Sequence, residues 1–147
     1  KLEINGQVAW LTGMMLRLGV LLIAQAEPKT LQEIEKLPCI PGVRWQREQR
    51  LTGFTEGQIT AELARRWNFP MQIVQALQRS ADPITEQAFS RLGAIVHLAG
   101  LLAEEPHRDA EAVDMLPTDV IAALMLDVDW LRTKFPDEAT FLDVTTQ

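Results

Sequence analysis

"TGMMLRLGVLLIAQA" (residues 12–26) is apolar almost throughout, with Arg17 at its centre. With Val8, Trp10 and Leu11 before it, the run is about the length a bilayer demands. A guanidinium at bilayer centre costs about 2.5–3.5 kcal/mol even on lenient scales. Gln25, Glu27 and Pro28 also close the run. The pattern therefore predicts a core helix of a soluble bundle, from about Gln7 to Gln25, with Pro28 after its end.

The rest of the chain repeats this helical grammar. "TLQE" (30–33) has capping-box spacing, Thr30 as cap and Glu33 reaching back, for a short helix to about Leu37. "PCIPG" (38–42) reads as a turn. Residues 43–52 read as a short helix. "TEGQ" (55–58) is a second capping box, and behind it Ile59, Leu63 and Trp67 share one stripe. Pro70 opens the next helix, with Ile73, Val74 and Leu77 buried. Asp82–Pro83 predicts the start of a long helix to about Glu105, with Ile84, Ala88, Leu92, Ile95, Val96, Ala99 and Leu102 inward. A polar connection (104–114), with room for a helical turn, leads to a last helix. It starts at Thr118 or at Leu116–Pro117 and runs to about Phe135, with Val120, Leu124, Val128 and Leu131 inward. A short helix after residue 136 is also allowed. Period-two alternation and repeats are absent. The expected fold is all-α, a single helical bundle over residues 1–147.

Composition narrows function. The chain has 147 residues, 47% hydrophobic, and a net charge of −6. An acidic balance argues against nucleic acid and anionic membranes as partners. One cysteine, Cys39, excludes an internal disulfide and fits a reducing cytoplasm; a buried, inert thiol is expected. The opening "KLEING" has neither a start Met nor a basic leader, so a piece of a longer protein without a signal peptide is expected.

Candidate chemistry is sparse. Ser80 and Ser90 lie in no nucleophile elbow. His97 falls on the apolar stripe of the long helix, as a hydrogen-bonded core or rim histidine would, and His107 lies in a polar loop. With Cys39 they do not make up a zinc ligand set. Asp127 and Asp129, two apart on a helix, point away from each other and read as a solvated face. Arg44, Arg47 and Arg50 recur every third residue. With Arg65 and Arg66 they form either a docking patch or a solvated basic face. Trp45 in this stretch would anchor a core or an interface. No metal and no cofactor are expected.

The order of the pieces carries more than any one of them. "TGMMLRLG" (12–19) is followed by "EQRLTGFTEGQITAELARRWNFP" (48–70), "IVQALQRSADP" (73–83) and "LGAIVHLAGLLAE" (92–104). This succession resembles the HDOD family, bacterial relatives of the HD-type metal-dependent phosphohydrolases. The resemblance spans about residues 8–104, leaving 105–147 as a C-terminal helical extension. Glu48, Gly53, Phe54, Leu63, Trp67, Pro70, Ala76, Pro83, His97 and Ala99 fall in register.

Two departures stand out. The family's N-terminal helical half has no counterpart, so the chain looks like the C-terminal half of such a module. The metal positions are also altered. Leu16 and Arg17 stand at the His-Asp pair, and Glu56, after Thr55, at the next histidine. Ser80 and Ala81 replace a His-His pair, and Gly100 the late aspartate. Leu, Ala and Gly offer no ligand, and an HD site needs several.

The resemblance thus implies the fold and removes the reaction. It implies a non-catalytic signalling or regulatory module that binds a protein partner, a ligand or a fused signalling domain. A homodimer is allowed. The alternatives are a nucleotide phosphohydrolase or phosphodiesterase with an atypical metal site, and a purely structural interaction domain. Arg17, at the former metal aspartate, is expected either to pair with Glu56 first or Glu48 second, or to snorkel to solvent.

Overall fold

The computed structural model describes residues 3–36, 40–85, 88–107 and 109–136. Asn5 caps α1 (Gly6–Leu16), its side chain accepting from Gln7 N–H at 2.9 Å. The long apolar run does not form one unbroken helix. It is α1 followed by α2 (Leu18–Ala26), joined at Arg17, where Val20 N–H reaches back three residues to the Arg17 carbonyl. Gly6–Ala26 is long and apolar enough to cross a membrane by length and composition. Here its inner face (Thr12, Met15, Leu16, Gly19 and Ile23) is buried in the bundle, while Trp10, Met14 and Leu21 are exposed.

α3 (Pro28–Ile34) starts earlier than the Thr30 box predicts, because Pro28 takes the first helical turn. The Thr30 hydroxyl instead donates to Glu27 Oε2 at 2.9 Å. Leu37, Pro38 and Cys39 lie outside the described residues. Gly42, in left-handed backbone at φ 83°, opens α4 (Val43–Thr52). The second capping box forms in full at α5 (Glu56–Arg66), where the Thr55 side chain accepts from Gln58 N–H and Gln58 accepts from Thr55 N–H. The α5 stripe is shifted from expectation. Gly57, Thr60, Ala61 and Ala64 face inward, Ile59 and Leu63 are half-buried, and Trp67 is exposed. Small residues win the inner face because α2 and α6 (Met71–Gln78) press on it. Ile73, Val74 and Leu77 of α6 are buried.

The long helix expected from Asp82 begins later. Ile84–Thr85 (β1) and Ala88–Phe89 (β2) form a two-residue antiparallel pair, Ile84 opposite Phe89. Arg79 Nη1 ties it, donating to Thr85 Oγ1 at 3.0 Å and to the Ala88 carbonyl. Ser90 then caps α7 (Arg91–Glu104), accepting from Gly93 N–H. Ile84, Ala88 and Ala99 are therefore exposed, and Ile95 and Leu102 half-buried; Leu92 and Val96 are core.

Asp109 caps a 3-10 turn (Ala110–Met115), whose Ala112 and Val113 are buried. The last expected helix is two, α8 (Thr118–Ala123) and α9 (Val128–Lys134). A turn with Met125 at φ 54° separates them. Asp127 caps α9, accepting from Asp129 and Trp130 N–H, which gives the Asp127/Asp129 pair a backbone role at Asp127. Val120 and Leu124 are buried, Val128 and Leu131 half-buried. Residues after 136 lie outside the described region.

The architecture is all-α apart from the small hairpin. One core cluster joins α1, α4, α5, α6 and α7 through Leu16, Trp45, Ala64, Leu77 and Val96. A second packs Val113, Val120, Ile121 and Leu124 on Ala94 and Leu98 of α7.

Candidate functional site: a buried acid and arginine network

Backbone contact between α2 and α5 sets the geometry. A Cβ on Gly19 would lie 2.9 Å from Glu56 Cα, so only glycine allows the approach. The Thr60 hydroxyl bridges it, accepting Gly19 N–H at 2.8 Å and donating to the Glu56 carbonyl at 2.9 Å. Arg17, at the α1–α2 joint, is thereby brought over the first turn of α5.

There Arg17 Nη1 donates to Glu56 Oε1 at 2.8 Å, and Nη2 reaches Glu104 Oε1 at 3.3 Å. Trp45 Nε1 donates to the same Glu56 oxygen at 3.0 Å. Glu104 turns its other oxygen to Gly42 N–H at 3.1 Å. Glu48 Oε2 accepts the Glu56 N–H at 2.7 Å, at the positive end of α5. Its Oε1 accepts from Arg44 Nε at 3.1 Å, and Arg44 continues to Glu35 at 3.5 Å. Thus Glu48 serves the α5 N-terminus and Arg44, while Arg17 joins Glu56 and Glu104.

Glu48 and Glu56 have no exposed surface. Burial, with the Glu56 charge beside it, pushes Glu48 up to about 7. Burial also raises Glu56, against the pull of Arg17. Glu56 Oε2 is buried with no hydrogen-bond partner. A proton held by this acid pair relieves the crowding of charge.

The positions that the resemblance aligns with metal ligands carry the following donors. Leu16 is core. A Cβ on Gly100 would lie 2.9 Å from Trp45 Cζ2, so the indole fills the space that a side chain there would need. Ser80 is buried and donates its hydroxyl to the Leu77 carbonyl at 2.8 Å. Ala81 has no donor. Only Glu56 is a carboxylate, and Arg17 neutralises it. This donor set does not fit a di- or mononuclear metal. Among the described residues no group of three or more His, Cys, Asp or Glu could hold one.

His97 is buried, its Nδ1 2.7 Å from the Ser80 carbonyl and its ring stacked on Trp45 at 5.1 Å. Burial lowers its pKa. His107 is exposed.

The five arginines do not share one face. Arg44 belongs to the network above. Arg47 Nη1 donates to the Ile34 carbonyl at 3.1 Å and to that of Lys36, tying α4 to α3. Arg50 lines a cleft beside Trp45. Arg65 and Arg66 both pair with Glu62 at 2.8 Å on the outer side of α5. Sequence reasoning missed Glu104, which lies 87 residues from Arg17 and carries no local signal. It also missed the filling role of Trp45, which the small residue at Gly100 could have betrayed.

A model of the HDOD domain matches residues 2–83, more than half of the chain. No curated protein and no solved structure matches it.

Proposed function

From the premise that this chain belongs to the HDOD family, we propose that it is a non-catalytic signalling or regulatory module acting by binding. One observation carries the reading. At the positions that the resemblance aligns with the metal ligands of HD-type relatives, the residues are Leu16, Arg17, Glu56, Ser80, Ala81 and Gly100, with Arg17 paired to Glu56 and Trp45 packed on Gly100. This set supplies one carboxylate, already paired with a guanidinium, where metal-activated hydrolysis needs several open ligands.

The partner is a protein, a ligand or a fused signalling domain, in a cytoplasmic bacterial setting. Helix faces do the docking, and no bond is made or broken. The chain's 105–147 region is read as an extension of the module, its second core cluster resting on α7.

Elemental analysis after incubation with manganese, iron or zinc, alongside a nucleotide-hydrolysis screen, tests this. The expected result is substoichiometric metal and hydrolysis at the no-protein rate. Stoichiometric metal with turnover that Glu56→Gln abolishes overturns the reading in favour of an atypical phosphohydrolase.

A further inference from the structure

A cavity of about 440 Å3 opens where the segment before α1, α6, β2 and the start of α7 meet. Gln72, Gln75, Arg79, Ser90 and Arg91 give it a polar wall, and Ile4, Phe89 and Leu92 an apolar one. Its size falls within the range of small-molecule sites. It shares no residue with the buried acid network.

Arg91 is the unusual member. It is the first residue of α7, where the aligned backbone N–H groups already make the helix end positive, and the first turn of α7 holds no acidic side chain. A guanidinium there opposes the helix dipole. Among the described residues Arg91 makes no hydrogen bond or ion pair, and its Nε is enclosed by protein without an acceptor. Native folds leave few buried donors in that state. Nη1 and Nη2 are not enclosed in this way, so the outer edge of the guanidinium stays accessible. Arg79 adds a second positive charge to the same wall, with Nη1 spent on Thr85 and the Ala88 carbonyl. Against these two cations the cavity sets one acid, Glu3, which is exposed and pairs with neither among the described residues. Asp127, which lines a neighbouring cavity with Arg91, turns Oδ1 to the N–H groups of α9 and forms no ion pair with Arg91.

We propose that this cavity binds a small, singly charged organic carboxylate with a short apolar body. The carboxylate accepts from the Arg91 guanidinium as a bidentate pair, and so supplies the acceptor and the counter-charge that the fold withholds. It also lies at the positive end of α7. Ile4, Phe89 and Leu92 offer the apolar body a dry wall. Two cations against one acid leave a single positive charge in excess, which suits a monoanion better than a doubly charged phosphate. The assignment goes beyond the docking of helix faces and uses none of the residues on which the non-catalytic reading rests.

Calorimetric titration of the full chain with 3-methylbutanoate, 3-methylbutanamide and inorganic phosphate tests it, with the arginine Nε–H signals followed by NMR. Saturable binding of the carboxylate is expected, about tenfold tighter than the isosteric amide or phosphate. The Arg91 Nε–H signal shifts on binding and exchanges more slowly with water. Arg91→Gln abolishes saturation, while Lys29→Gln, on the exposed side of α3, leaves it unchanged. Arg91 ties no other element among the described residues, so the fold survives its replacement, which circular dichroism verifies. Equal binding of carboxylate and amide, tighter binding of phosphate, no saturation at about 50 mM, or an indifferent Arg91→Gln overturns the assignment. The first three of these are read on the unaltered protein and need no variant. Their failure leaves the non-catalytic reading standing, since that reading is judged by metal content and hydrolysis. Turnover of a nucleotide sinks the non-catalytic reading and leaves the carboxylate site in place.

Discussion

Arg17 Nη1 stands 2.8 Å from Glu56 Oε1 across 39 residues of sequence, and the acid is fully buried while the base is 39% exposed. The asymmetry says which member depends on the other. Arg17 keeps part of its hydration; among the described residues the Glu56 carboxylate accepts side-chain hydrogen bonds from Arg17 and Trp45.

Arg17→Met should therefore destabilise by about 2 kcal/mol, less than breaking a wholly buried pair because Arg17 is partly solvated. The loss should be larger at about pH 8 than at about pH 5, where the stranded Glu56 takes up a proton. Adding Glu56→Gln should recover about 1 kcal/mol at the higher pH, since the glutamine still accepts from Trp45. Urea unfolding of the two variants decides it. A double variant no more stable than Arg17→Met would show that the pair is not coupled.

Glu48 gives the chain a pH dependence of definite sign. Its folded pKa of about 7 lies above its ordinary 4.5. The folded state then binds the extra proton between those values, so stability is fully present below about pH 4.5. It is lost as pH rises through about 7, by up to about 3 kcal/mol. Glu48→Gln should flatten this fall. An unchanged slope of unfolding free energy with pH in that variant would assign the proton elsewhere.

Two glycines on one apolar run should respond oppositely to alanine. Gly13 has open space where a Cβ would go, so Gly13→Ala should stabilise by about 0.5–1 kcal/mol through helix propensity. Gly19 abuts the Glu56 backbone, so Gly19→Ala should destabilise by about 2–3 kcal/mol as α2 is forced off α5. Thermal melts of the pair suffice; equal shifts would refute the close approach.

The arginines should divide by their contacts. Arg47→Ala removes a tie between α4 and α3 and should lower stability by about 1 kcal/mol. The double change Arg65→Ala and Arg66→Ala, on exposed ion pairs, should leave stability within about 0.5 kcal/mol. If reversing Arg65 and Arg66 cuts partner recovery in a pull-down at unchanged stability, that face docks.

Local features were legible in the sequence wherever the deciding forces act within a turn. The Thr55–Gln58 box, the bounds of α4, the buried Ile73, Val74 and Leu77, and the register that identifies the HDOD family all follow from neighbouring residues. A cap or a proline acts over four residues and carries its own signature. What the sequence alone did not determine depends on which surfaces meet. Trp67 turned outward because α5 gives its inner face to small residues, Gly57 against the Leu77 carbonyl and Thr60, Ala61 and Ala64 buried beyond it. Residues 84–89 became a hairpin, with Arg79 tying it and Ser90 capping the later helix. Above all, Arg17's second partner, Glu104, and the seat of Trp45 on Gly100 were decided by tertiary packing. A buried charge takes whatever counter-charge the fold brings within reach, and that choice is made across the whole chain.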